Sequence, residues 1–326
     1  MLEASDKPLE IDILAFPEST VLLFASVFEP LRAANRISGQ TLYSWRIFSP
    51  DGAPVHTTAQ INIPVDGPFR PEKDGNPLFV VASYDWKRQV TPAIKMLLSR
   101  TARHRPMIAG IESGAFLLAE ASLLDNHRVA VHWEDREEFA ARYPQITVAK
   151  DRFVIDRKRM TSGGSVATID MMLEIIRCRQ GYSLALEVSR AFLYERESGG
   201  EVSPAPAVGG AALDRRLAQA IRLMEQSVDQ PLSLDRLARR TGISARRLQS
   251  LFNESFGVPP HVHYLALRLN AARRRVIETR ASFAEIAAST GFNSASAFSR
   301  AYRAQFRESP SETRRRLRAA LNESPA

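Results

Sequence analysis

The stretch that decides the fold is Met107–Leu124, "MIAGIESGAFLLAEASLL". An apolar run of strand character enters a Ser-Gly pair and leaves as an apolar helix, the strand–turn–helix form of a nucleophile elbow in an α/β protein. Glu112 stands about where the nucleophile would be. Outward from this point strand and helix signals alternate. "EIDILAF" reads as a strand, Val21–Asn35 as a helix, "YSWRIFS" and "PLFVVAS" as strands, and Pro92–Arg103 as a helix. "MIAGIE" follows as a strand, "GAFLLAEA" as a helix and "HRVAVHW" as a strand. Strands written as continuous apolar runs are buried on both faces, so the expected fold is α/β, a mainly parallel sheet sandwiched by helices. In such sheets ligands bind beyond the carboxyl ends of the strands. Ser83 and Tyr84, Glu112 and Ser113, and His132 and Trp133 lie at such ends and are expected to converge on one pocket.

A chain of 326 residues with 44% hydrophobic content is globular material for about two domains. Its single cysteine, Cys178, excludes an intrachain disulfide and a cysteine-rich metal site. His261 and His263, two positions apart, do not share a helix face and read as structural. No metal site, cofactor or catalytic set is expected. The start lacks the basic segment and cleavage site of a signal peptide, and no run reaches the roughly 18 apolar residues of a membrane span. The expected location is the cytoplasm, with no membrane partner.

Charge divides the chain more sharply than composition. From Leu213 onward there are 20 basic residues, all arginine, against ten acidic ones; residues 1 to 212 hold 24 basic and 26 acidic. A +10 segment built only on arginine suits phosphate and guanine edges. Between the halves, "RESGGEVSPAPAVGGA" (196–211) lacks apolar periodicity and reads as a linker. The expected domains are therefore 1–195, a linker at 196–212, and 213–326.

The basic domain contains an internal repeat. Leu237–Pro260 and Ile286–Pro310 register at an offset of 49, becoming 50 after the turn. In each copy a short helix (Leu234–Thr241, Phe283–Thr290) ends at a glycine, Gly242 or Gly291, suited to the left-handed C′ position. Ser244, or Asn293 with Ser294, then caps a second helix. These are two helix-turn-helix units in an all-α domain, each second helix expected in the major groove. Its exposed residues are Arg246, Arg247, Gln249, Ser250 and Asn253 in the first copy, and Ser294, Ser296, Ser299, Arg300 and Arg303 in the second. Arg, Gln and Asn make bidentate base contacts, and Ser bonds phosphates or bases. A helix of about 19 residues over Val262–Arg280, some 28 Å long, separates the units by nearly the ~34 Å between successive major grooves on one DNA face.

Residues 213–320, including "GFNSASAFSRAYRAQFRESPSETR", resemble the DNA-binding domain of the AraC/XylS family of bacterial transcription regulators. The resemblance implies promoter DNA and RNA polymerase as partners, and an activator rather than a repressor. Residues 1–195 resemble the class-I glutamine-amidotransferase-like sensor of GlxA-type regulators, relatives of PfpI-type cysteine hydrolases. The matching residues are "GIESGAFLLAEASLLDNHRVAVHWE" (110–134) and "FPESTVLLFASVFEPLRAAN" (16–35). This implies a flavodoxin-like amidotransferase fold. In the enzymatic relatives a cysteine occupies the position of Glu112, and an acidic residue falls at Leu23; both departures remove hydrolase parts, since a carboxylate does not replace a thiolate.

The elbow then becomes a binding site. A helix N-terminus keeps Glu112 ionised, and an ionised carboxylate in a pocket asks for a cation. A small amino-acid-like or quaternary-amine ligand is expected, its cation against Glu112 with Tyr84 and Trp133, its carboxylate on N–H groups near Ser113 and Gly114. By the resemblance, regulators with an acidic residue here include sensors of arginine, carnitine and glycine betaine. Two alternatives stay open: a vestigial pocket with Glu112 as a cap and a protein partner as the signal, and a residual hydrolase using Ser113 and His132. Glu29, before Pro30, reads as a helix-start residue. The apolar stretches "SVATIDMMLEIIRC" and "SLALEVSRAFLYE" exceed one helix face and suggest a homodimer surface, or packing within the domain.

Overall fold

The computed structural model describes residues 2–5, 7–71, 75–193 and 215–322; the expected linker at 196–212 lies outside them. The chain forms two compact units, dividing between Val188 and Ser189. The strands of the first unit's main sheet are β1 (Leu9–Ala15), β2 (Tyr43–Ser49), β3 (Gly67–Pro68), β4 (Leu78–Ala82), β5 (Ile108–Glu112), β6 (Phe153–Asp156) and β7 (Arg159–Ser162). They lie in the order β6-β7-β5-β4-β1-β2-β3, parallel except that β6 runs antiparallel to β7.

Alternation along these strands accounts for the apolar runs. Ile11, Ile13, Phe79, Val81, Ala109 and Ile111 face one layer, where α1 (Val21–Ser38) and α3 (Ser165–Gln180) supply Leu23, Phe24, Val27, Met171 and Ile175. Leu14, Leu78, Val80 and Ile108 face the other, where α2 (Gly114–Glu120) contributes Phe116, Leu117 and Leu118. Successive strand residues point to opposite faces, so a strand covered on both sides has no polar face to show.

Two expectations are corrected. Of "HRVAVHW" only Arg128–Val129 forms a strand, paired with Thr147–Val148 in a separate small sheet, so His132 and Trp133 do not end a strand of the main sheet. Helix α1 runs through Pro30, and Glu29 pairs with Arg32 one turn on at 2.6 Å; the apolar contacts of Leu31 and Ala34 outweigh the one backbone hydrogen bond a proline removes. Of the two readings of the apolar stretches, packing within the domain accounts for α3, where Ala167, Met171, Met172, Leu173, Ile175 and Ile176 are all buried. The strands β6 and β7, which finish the sheet, were not expected.

One charge lies inside the apolar run of β1. Asp12, 1% exposed, accepts from Arg105 Nη1 at 2.5 Å and from Arg46 Nη2 at 2.9 Å, and Arg105 also donates to the Asn76 carbonyl at 3.1 Å. A buried carboxylate needs such partners.

The second unit is helical. Helices α4 (Leu234–Thr241) and α5 (Ala245–Phe256), then α7 (Phe283–Ala288) and α8 (Ala295–Phe306), form the two repeated pairs, joined by the 19-residue α6 (Pro260–Glu278). His263 of α6 is buried between Phe252 and Phe256, ring centroids 5.1 and 4.8 Å away, and burial pushes its pKa down to about 3; it is a core residue.

Two stability predictions follow from these contacts. A methyl group on Gly114 would stand 2.1 Å from the Val80 carbonyl oxygen, so Gly114→Ala lowers the stability of the first unit by about 3 kcal/mol or more, read by denaturant unfolding. Asp12→Ala leaves Arg105 buried without its carboxylate and costs about 3–5 kcal/mol in the same measurement.

Candidate functional site

Strands β4 and β5 are in register with Ala82 opposite Glu112, so Ser83, the next residue, arrives beside the elbow. Its hydroxyl, almost fully buried, donates to Glu112 Oε1 at 2.6 Å. Glu112 itself adopts φ 53°, the left-handed region that a non-glycine residue enters at a cost of roughly 1–2 kcal/mol. A glutamate here keeps the strained backbone of an elbow, with a carboxylate on it in place of a thiol.

The carboxyl is half-buried, and burial pushes its pKa above the ordinary range; the Ser83 hydrogen bond and the charge of His132 pull it back, while Asp135 pushes it further up. Asp135 is raised too, first by burial and then by Glu138 and Glu134, with His132 and Lys87 opposing. Glu112 therefore has one acidic neighbour, Asp135, and one basic one, His132. His132 Nδ1 faces Glu134 Oε2 at 3.5 Å, and among the described residues no hydrogen bond links it to Ser113.

The other expected ligand residues divide. Ser113 is buried as the N-cap of α2, and Gly114 is pressed against the Val80 carbonyl. Helix α2 is only seven residues long. Tyr84 is 63% exposed and Trp133 68%, so neither is a core residue and neither closes a cage by itself. A cavity of about 280 Å³ is lined by His132 and Trp133 together with Arg136, Arg152 and the segment Gly163–Ala167. Glu112, Ser83 and Tyr84 do not line it. Asp135, Arg136, Arg152 and the Gly163–Gly164 turn were missed from the sequence; the Ser-Gly-Gly run before an apolar helix was the available signal.

In the second unit the two turns take the expected form. Gly242 and Gly291 have φ 68° and 73°, and Ser244 and Ser294 accept from the amides of Arg247 and Ala297 as N-caps. Leu248, Leu251 and Phe252 of α5, and Phe298 and Tyr302 of α8, are buried. On the opposite faces Arg246, Arg247, Gln249 and Asn253, then Ser294, Ser296, Arg300 and Arg303, are exposed, with Ser250 and Ser299 half-buried.

Two features were not legible in the charge pattern. Glu254 lies on the face of α5 with Arg247, 3.4 Å away, and accepts from the Ser250 hydroxyl. Several arginines are structural: Arg268 donates to the carbonyls of Thr290 and Gly291 and lies 4.3 Å over Phe292, and Arg314 donates to those of Val276 and Ala281.

The model of the family described as "Helix-turn-helix domain" matches residues 237–316. The transcriptional regulator CdhR of Pseudomonas aeruginosa is 39% identical over 92% of this chain and 90% of its own length. The regulator GlxA of Rhizobium meliloti is 34% identical, covering 94% and 95%. The crystal structure of a ThiJ/PfpI family protein from Pseudomonas syringae superposes with a TM-score of 0.50 at 20% identity, over 60% of this chain and 78% of that one. The chain belongs to the AraC-type, GlxA-like transcription regulators, which join a helix-turn-helix DNA-binding domain to a PfpI-like N-terminal domain.

Proposed function

We propose that this DNA-binding regulator is switched by a small cationic or zwitterionic metabolite, of amino-acid or quaternary-ammonium type, received at Glu112. The observation that carries this reading is the carboxylate on the left-handed elbow, hydrogen-bonded by Ser83 and with Asp135 as its acidic neighbour. A presented carboxylate draws a cation and does not perform thiol chemistry. In this reading residues 1–195 sense, 196–212 link and 213–326 bind DNA. The protein acts in the cytoplasm as a homodimer, as an activator meeting RNA polymerase at the promoter, and it is not an enzyme. No helix among the described residues is long and apolar enough to cross a membrane.

The DNA-facing surface is proposed to read sequence through Arg246, Arg247, Gln249, Ser250 and Asn253 and through Ser296, Ser299, Arg300 and Arg303. Ser294 spends its hydroxyl as a cap, so its contact is proposed to be with phosphate alone.

Two measurements test this. Calorimetry with glycine betaine, carnitine and arginine finds one that binds wild type; Glu112→Gln weakens it by about tenfold or more, as loss of a charged partner does. Because the ionised form holds the cation and burial raises its pKa, wild-type affinity falls on acidification earlier than an ordinary carboxyl would dictate, and the variant loses that fall. Unchanged affinity in Glu112→Gln reduces the carboxylate to a structural partner of Ser83. For DNA, a duplex selected by the full-length protein from a random pool is rebound by variants. Arg246→Ala and Arg300→Ala each cost about 1–3 kcal/mol, whereas Arg268→Ala lowers thermal stability and leaves the salt slope of binding unchanged.

A further inference from the structure

We infer that the anionic end of the ligand is held away from the elbow, in the cavity lined by Arg136 and the start of α3. This deepens the reading above and rests on it. Ser113 and Gly114 offer a poor carboxylate site, because α2 has only seven residues and its first turn is packed against the Val80 carbonyl. The cavity beside His132 offers a built one. Helix α3 has 16 residues and begins at Gly164 with no side-chain cap, so its first N–H groups are left for another acceptor. Gly164 stands at φ 132°, a conformation that keeps a side chain away from the helix start.

A second, independent group points to the same place. Arg136 lines the cavity; its Nη2 donates to the Lys150 carbonyl at 3.0 Å, while its Nε is buried with no hydrogen-bond partner. A buried donor without an acceptor is costly, and a carboxylate supplies one with charge added. Trp133 and the half-exposed Val166 form the apolar part of the wall. His132 belongs to both places, lining the cavity and acting electrostatically on Glu112 and Asp135. The two charges of a zwitterion thus meet an acidic end at Glu112 and a basic end at Arg136, and a ligand with only the cation loses the second.

The test uses the full-length protein with glycine betaine and with choline, which keeps the trimethylammonium group and lacks the carboxylate. Arg136→Gln is expected to weaken glycine betaine by about tenfold or more and to leave choline unchanged, which also shows that the variant is folded. Glu112→Gln weakens both. A ligand-free arm follows Trp133 fluorescence, assigned by difference from Trp133→Phe, under quenching by iodide and by neutral acrylamide. Arg136→Gln is expected to lower iodide quenching alone. Equal glycine betaine affinity in wild type and Arg136→Gln overturns the carboxylate site while the response of Glu112→Gln still supports the cation site. If neither compound binds wild type, the sensing reading fails for this class and the iodide arm decides the cavity: unchanged quenching in Arg136→Gln overturns it.

Discussion

The first unit depends on one close approach, that of Gly114 to the carbonyl oxygen of Val80. A side chain at 114 would need the 2.1 Å that separates the added atom from that oxygen. Only glycine lets α2 start directly against β4, and two residues before it Glu112 stands at φ 53°. The strain is held because strand pairing on one side and the buried Phe116, Leu117 and Leu118 on the other over-determine the turn. The geometry that presents a nucleophile is therefore independent of the nucleophile, and it survives with a carboxylate in its place. What the turn does is present residue 112 beside Ser83, whose hydroxyl donates to it.

The second unit solves a different problem with a repeat. Each helix pair has a small core of its own, Leu248, Leu251 and Phe252 in one and Phe298 and Tyr302 in the other, and two such pairs need a fixed relation to read adjacent groove segments. That relation is built at Gly291, where a side chain would strike Pro231 and the Val228 carbonyl, and at Arg268, which binds the carbonyls of the same turn from α6. Tyr264, also on α6, accepts from the Leu232 amide and donates to the Ser227 carbonyl. The loop ahead of the first pair and the turn inside the second are thus tied to one helix. Part of the arginine excess serves this internal bracing, so net charge overstates the groove-facing surface.

What the sequence made legible follows from period and punctuation. Alternation hidden inside "LFVVA" and "IAGIE" is sufficient for a two-sided parallel sheet, and glycine followed by serine is sufficient for both helix-turn-helix units, because those signals are local. Asp12 was not legible: its partners Arg46 and Arg105 come from 34 and 93 residues away, and a lone aspartate in an apolar run says nothing of them. The same holds for the ligand site. Ser83 and Glu112 meet because strand ends in one sheet share a level, whereas His132 and Trp133 arrive on a segment that leaves the small sheet at Val129. The cavity beside them depends on Arg136, Arg152 and Gly163, which no single stretch of sequence brings together.

On the proposed reading, occupancy must still be converted into a change at DNA, and the position of the cavity limits how. A bound ligand shifts an equilibrium only by binding one arrangement better than another, about 1.4 kcal/mol for each factor of ten. The elbow is a poor moving part, since its glycine contact allows no displacement toward β4. The start of α3 is a better one: it lies over the cavity with uncapped N–H groups. From there α3 runs about 24 Å to Gly181, whose φ of 91° breaks it from the helix Tyr182–Leu193 that carries the chain across the division at Val188. On the proposed reading, a ligand held between Glu112 and the start of α3 ties the elbow to a helix that ends at Gly181, just before the helix that crosses the division. The differential affinity that the proposed switch requires is then located in a single element of the first unit.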